Sequence, residues 1–150
     1  MLFRSVVNRD AFLLRANARL EVGGAAADVL RVVTGALLSV FEPRVPKTLR
    51  VHNATIGIRG TGIYVESAAE RTYVCTCYGE AEIVPTGDPR AAETVRTQRH
   101  EQPRYVLPKG APQILTKAPV VNHSDDELNL LESLVGRSTP FDPTALDRYY

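Results

Sequence analysis

At 150 residues, with 18 Lys+Arg against 17 Asp+Glu and a net charge of +1, the chain carries no large field of one sign, which argues against a nucleic-acid binder recruited by charge. Hydrophobic residues make up 44% and charged residues 23%, the balance of an ordinary one-domain globular chain, and no long apolar run offers a membrane span. Two cysteines and three histidines exclude a disulfide-dense scaffold and leave room for one small metal or thiol site.

Met1–Ser5 stands apart from the rest of the chain. Leu2-Phe3-Arg4-Ser5 is the in-frame translation of a common sequencing-adapter string, so a non-native scar is expected there, with the natural start and any targeting segment missing. The lack of a leader peptide then says nothing about compartment. From Ala11 to Ile83, short apolar groups rich in β-branched residues alternate with Gly, Pro or Asn, the pattern of many short strands. Strands are expected at Ala11–Ala16, Arg19–Val22, Asp28–Val33, Ala36–Phe41, Thr48–His52, Gly62–Glu66, Thr72–Cys77 and Glu80–Val84. Gly23-Gly24, Gly35, Pro43 with Pro46, Gly57, Gly60 and Gly79 supply the turns or bulges between them. Ala25–Leu38 has the Ala and Leu content of a helix, but Val29, Val32, Val33, Thr34 and an internal Gly35 favour strands.

In Tyr73–Ile83 the odd positions are Tyr, Cys, Cys, Gly, Ala and Ile, and a period of two puts Cys75 and Cys77 on one buried face. Thr86–Arg104 is polar and without period, and reads as a long surface loop with a helical turn at Arg90–Thr97. Pro103, Pro108, Pro112 and Pro119 keep the next stretch extended. Ser124-Asp125-Asp126-Glu127 is a capping box opening one helix, with Leu128, Leu131, Leu134 and Val135 as its apolar face and Gly136 to end it. The expected whole is mostly β, an antiparallel sandwich or β-roll over residues 6–137 with one C-terminal helix. Residues 138–150 form an extended tail whose Phe141, Tyr149 and Tyr150 could dock on the body.

The most distinctive stretch is Asn53–Glu66, which includes Ala54-Thr55-Ile56-Gly57-Ile58-Arg59-Gly60-Thr61-Gly62. Gly57, Gly60 and Gly62 let the backbone bend sharply, Ile56, Ile58 and Ile63 supply core, and Arg59 is placed to organise the bend with its five N–H donors. No Gly-Lys-Ser/Thr follows, and a strand rather than a helix comes next, so this is no nucleotide-binding loop. The phrase resembles the signature of the FecR domain, the periplasmic part of iron-dicitrate-type sensor and anti-sigma regulators, with Thr55, Gly57, Arg59, Gly60, Thr61 and Gly62 as its structural positions. Val33–Val40 stands where that family has a glycine-containing strand before the signature, and the resemblance covers Ala11–Val84. It implies a non-enzymatic envelope protein, periplasmic or exported, that senses or relays a signal in iron-uptake regulation. Its implied partner is a sensor, receptor or sigma-regulator component of the envelope. The cytoplasmic anti-sigma segment and transmembrane helix of the full sensor have no counterpart here, and the sequence beyond Val84 departs from the family.

Cys75 and Cys77 on one strand face suit two thiolates converging on a soft ion, and His100 and His123 would complete a Cys₂His₂ set for a transition metal such as zinc, iron or copper. Asp125 and Asp126, beside His123, would orient its imidazole or ligate directly. The spacing matches no standard zinc module. Two other readings stand beside it: cysteines packed as small hydrophobes, and a redox-active pair, although a direct Cys75–Cys77 disulfide would be strained. Arg90, Arg96, Arg99 and Arg104 are interleaved with Asp88, Glu93 and Glu101 and read as a solvated loop, and Glu80 and Glu82 as an outward strand face. Ser39, Ser67, Ser124 and Ser133 lack the Gly-x-Ser-x-Gly context of a hydrolase, and no residue set meets the requirements of a catalytic site.

Overall fold

Strand-forming sequence accounts for nearly every regular element in the computed structural model, which describes residues 3–25 and 27–141. The strands are β1 (Phe3–Val7), β2 (Asp10–Leu14), β3 (Arg19–Gly23), β4 (Val29–Val40), β5 (Pro46–Arg50), β6 (Ala54–Ser67), β7 (Thr72–Pro85), β8 (Glu93–Thr97), β9 (Arg104–Val106) and β10 (Leu115–Lys117), followed by helix α1 (Asp125–Leu134). The protein is therefore mostly β with a C-terminal helix, as its sequence predicts. Phe3–Ser5, within the segment expected to be a scar, form the first part of β1 and pair with Phe12–Leu14 of β2.

Several expected strands are halves of longer ones. Asp28–Val33 and Ala36–Phe41 belong to β4, which passes through Gly35 without turning. Gly35 has φ +84 and lies so close to Ala18 that a Cβ would meet its Cα at 2.7 Å, so a glycine is what fits beneath that backbone. The glycine-rich phrase expected to bend is likewise the first part of β6, a continuous strand of 14 residues whose register shifts between Arg59 and Gly62. Arg59 does not organise a turn. Its side chain is exposed, opposite Pro46 on one side and Glu80 on the other, and takes part in no side-chain hydrogen bond among the described residues.

The sheet runs β1-β2-β4-β5-β6-β7-β9-β10, with β3 added on β4 and β8 on β7. Among the described residues all pairings are antiparallel except β4 with β5. The long strands change partners along their length. β4 pairs with β3 and β5 near its start and with β6 from Gly35 to Val40; β7 pairs with β9 at Thr72–Val74 and with β8 at Gly79–Ile83.

Neighbouring residues point to opposite faces, and each face has its own core. Phe12, Leu37, Val65 and Val74 belong to one cluster with Leu30, Ile56 and Ile83. Leu13, Leu38, Tyr64 and Cys75 belong to the other, with Cys77 and Tyr73, and there Leu128 and Leu131 of α1 cover the sheet. The expected alternation through β7 resets at Gly79, whose φ is +92: Ala81 and Ile83 lie in the first cluster, opposite Cys75 and Cys77.

The polar stretch after β7 departs from its expected loop. A 3-10 turn covers only Pro89–Ala91, and Glu93–Thr97, expected within the helical turn, forms β8 with Val95 buried between exposed Thr94 and Arg96. The proline-rich stretch adds β9 and β10. In α1 the capping box forms as predicted, Ser124 Oγ accepting from Glu127 N and Glu127 Oε1 from Ser124 N. Leu134, expected on the buried face, is exposed, and Glu132 is buried instead, accepting from Tyr78 Oη–H at 2.5 Å and from Arg137 Nε at 2.6 Å. In the expected tail, Thr139 is buried and Phe141 packs edge-on against Tyr78; Tyr149 and Tyr150 lie outside the described residues.

Candidate functional site

The two cysteines, His100 and His123, far apart in sequence, meet on the helix-covered face of the sheet. Strand periodicity turns Cys75 and Cys77 the same way, and both sulfurs are fully buried. His100 lies in the connection from β8 to β9 with a left-handed backbone, φ +57, and its N–H bonds Cys77 O at 2.9 Å, which fixes the ring above the cysteine pair. His123 precedes the helix cap. Its ring stacks on Tyr64 with centroids 4.5 Å apart, and Tyr64 is the cross-strand neighbour of Cys75.

One donor atom from each of the four residues lies within 4.8 Å of the others. The two sulfurs are 4.0 Å apart, Cys75 Sγ is 3.5 Å from His100 Nδ1, and His100 Nδ1 is 3.1 Å from His123 Nε2. The ring nitrogens on the far sides are also engaged. His100 Nε2 lies 2.8 Å from Asp125 Oδ1, and His123 Nδ1 lies 2.6 Å from Val121 O. A carbonyl and an ionised carboxylate can only accept, so in each neutral ring the outer nitrogen carries the hydrogen. His100 Nδ1 and His123 Nε2 then turn lone pairs toward the sulfurs.

The electrostatics follow from this geometry. A hydrogen bond from the Cys77 thiol, helped by the nearby His100 and His123 rings, outweighs burial and holds Cys75 well below the ordinary thiol range, while burial pushes Cys77 well up. Burial lowers the pKa of His100, but its bonds to Cys75 and Asp125 outweigh that and leave it raised. Asp125 is desolvated yet held below the ordinary carboxylate range by His100 and Arg99.

Cys75, His100 and Asp125 form a thiolate–imidazole–carboxylate line of the kind that activates a nucleophile. The sulfur is sealed from solvent, however, and a nucleophile must reach its substrate. The sulfurs are free thiols separated by about twice a disulfide bond length. A cleft of about 850 Å³ lies nearby, lined by Phe41, Tyr78, Arg99, Glu132, Arg137 and Phe141, and contains none of the four donors.

All four sequence-predicted ligand residues are thus brought together, with two changes in their surroundings. Asp125 bonds His100 rather than His123, and Asp126 bonds neither ring; His123 is oriented by Val121 O and Tyr64 instead. Tyr64 escaped the sequence reading, though pairing β6 with β7 in register would have set it beside Cys75. The loop arginines sit in ion pairs: Arg90 with Asp88, Arg96 with Glu80, Arg99 with Asp125 and Arg104 with Glu93. The signature positions Thr55, Gly57, Arg59, Gly60, Thr61 and Gly62 lie along β6 and are not among the four residues of the cluster.

No protein-family model and no curated protein matches this sequence. Among solved structures, two of "a putative anti-sigma factor" from Parabacteroides distasonis match the fold. One, at 1.65 Å resolution, has a TM-score of 0.63 at 11% identity over 78% of this chain; the other, at 2.50 Å, has 0.62 at 12% identity over 78%. The present chain spans about half the length of those structures, 56% and 55%. Among the described residues, no helix is long and apolar enough to cross a membrane.

Proposed function

We propose that the chain is a non-enzymatic regulatory module of the FecR type, exported to the periplasm, which relays a signal by docking to a protein partner of the cell envelope. One observation carries this reading: the fold that recurs in the anti-sigma factor structures holds the FecR-like phrase in β6, between β5 and β4 on one side and β7 on the other. The same resemblance supports iron-uptake regulation as the physiological setting.

Docking at β10 suits such a role. This strand ends the sheet order, so its outer edge is free to bond a further strand through main-chain N–H and C=O groups. The test is made in the native cell. A photo-crosslinker at exposed Lys117 is expected to capture one envelope protein, and deletion of the gene to change transcription of the genes under the associated sigma factor. Unchanged transcription after deletion would overturn the regulatory reading. A crosslink that persists in Leu115→Pro, which takes away a backbone N–H on the side of β10 away from β9, would overturn β10 as the docking edge.

A further inference from the structure

The Cys/His cluster has more inward-facing electron pairs than hydrogens to share between them. Asp125 and Val121 O each hold a ring N–H on the outside, so His100 Nδ1 and His123 Nε2 face each other as bare acceptors 3.1 Å apart, with the Cys75 sulfur 3.5 Å from the first. The two thiol hydrogens can serve the Cys77–Cys75 and Cys75–His100 contacts, which still leaves the two ring nitrogens opposed. A cation at their centre satisfies all of them.

We infer that Cys75 Sγ, Cys77 Sγ, His100 Nδ1 and His123 Nε2 form a binding site for one divalent transition cation of the zinc class. The inference goes beyond the regulatory role proposed above and does not depend on it. Zinc bonds of about 2.3 Å to sulfur and 2.0–2.1 Å to nitrogen place tetrahedral donors roughly 3.3–3.8 Å apart. The separations of 3.1, 3.5 and 4.0 Å bracket that range and the other donor pairs lie within 4.8 Å, so side-chain adjustments of about an ångström close the site.

Donor chemistry and charge narrow the occupant. Two sulfurs and two imidazoles without an oxygen do not suit calcium or magnesium, which take oxygen ligands. Two thiolates balance a divalent ion, whereas a monovalent one would leave net charge where both sulfurs are fully buried and desolvation is costly. Four protein donors make a closed site of the structural kind. The carboxylate on His100 and the carbonyl on His123 are the outer partners that orient metal-bound imidazoles. Because the donors come from β7, the β8–β9 connection and the segment leading into α1, the ion would tie the start of the helix to the sheet.

Untagged protein incubated with zinc and desalted is expected to retain one zinc per chain by elemental analysis. Cys75→Ser with Cys77→Ser should retain none. Cobalt(II) in place of zinc should give the visible bands of a tetrahedral ion and a near-ultraviolet sulfur charge-transfer band. Asp125→Asn makes Asp125 a positioning residue under test: zinc affinity, from competition with a chromophoric chelator, should fall about 10–100-fold with circular dichroism unchanged. If the cysteine variant fails to fold, His123→Gln replaces it, and its cobalt spectrum should lose tetrahedral intensity. Zinc retention by the parent no greater than by the variants, or an octahedral cobalt spectrum without the sulfur band, would overturn the site.

Discussion

Gly62 and Arg59 share one strand but carry different burdens. A Cβ on Gly62 would lie 2.5 Å from Tyr78 Cε1, and the Tyr78 hydroxyl is tied to buried Glu132, so the ring cannot simply swing away. Gly62→Ala is therefore expected to cost about 1–3 kcal/mol, the usual cost of overpacking a filled site. Arg59 extends into solvent, and Arg59→Ala should stay within about 0.5 kcal/mol of the parent. Urea denaturation of the two variants checks the contrast; equal losses would return to the arginine the organising role its sequence context suggested. The same contrast shows what a single sequence reveals at this scale. The residue types of the signature are legible, but whether a glycine allows a turn or a close neighbour depends on Tyr78, which lies on the facing strand.

Elements were legible where a local pattern fixes them and obscure where distant pairing does. The capping box announces α1, and the period of two in β7 announces the shared face of Cys75 and Cys77. Strand β8 hid in polar sequence because Val95 is its single buried residue, its neighbours being acceptable in strand or loop. Both histidines of the site lie in irregular segments, where no period tells which way a ring will point. For α1, Ser124→Ala removes the cap acceptor and should cost about 1 kcal/mol, read as a lower thermal midpoint. Its partner in the box gives a pH dependence. Arg15 bonds both oxygens of Glu127, at 2.5 and 2.9 Å, and this is the main cause that holds the carboxyl below its ordinary value of 4.5. A carboxyl depressed by folding adds stability that is fully present above 4.5 and is lost as pH falls through the depressed value. Arg15→Met should flatten that acid limb in denaturation series across this range; an unchanged limb would assign it to other carboxylates.

At the scale of the whole molecule, periodicity tells which face a residue occupies but not which strand lies beside it. Nothing local marks β4 as the strand that meets β5 in parallel at its start and β6 in antiparallel at its end. A buried ion pair helps to hold that arrangement. Asp10 at the start of β2 and Lys47 in β5 are 3.0 Å apart, with side chains 2% and 4% exposed. Asp10 Oδ1 also accepts from Glu42 N, and Lys47 Nζ donates to Ala27 O, so the pair reaches the connections on both sides of β4. Removing one member strands the other charge in the interior, and Asp10→Ala should cost about 3–5 kcal/mol. Replacing both by apolar residues of similar size, Asp10→Leu with Lys47→Met, removes the two desolvation penalties together, and on electrostatic grounds should recover most of that loss. It also leaves Glu42 N and Ala27 O without these partners, each neutral hydrogen bond contributing about 0.5–1.5 kcal/mol, so the double variant should settle between the single variant and the parent. Guanidinium unfolding of the three proteins measures this order. A double variant as unstable as Asp10→Ala would show that the pair acts through its hydrogen bonds to the two connections rather than through mutual neutralisation.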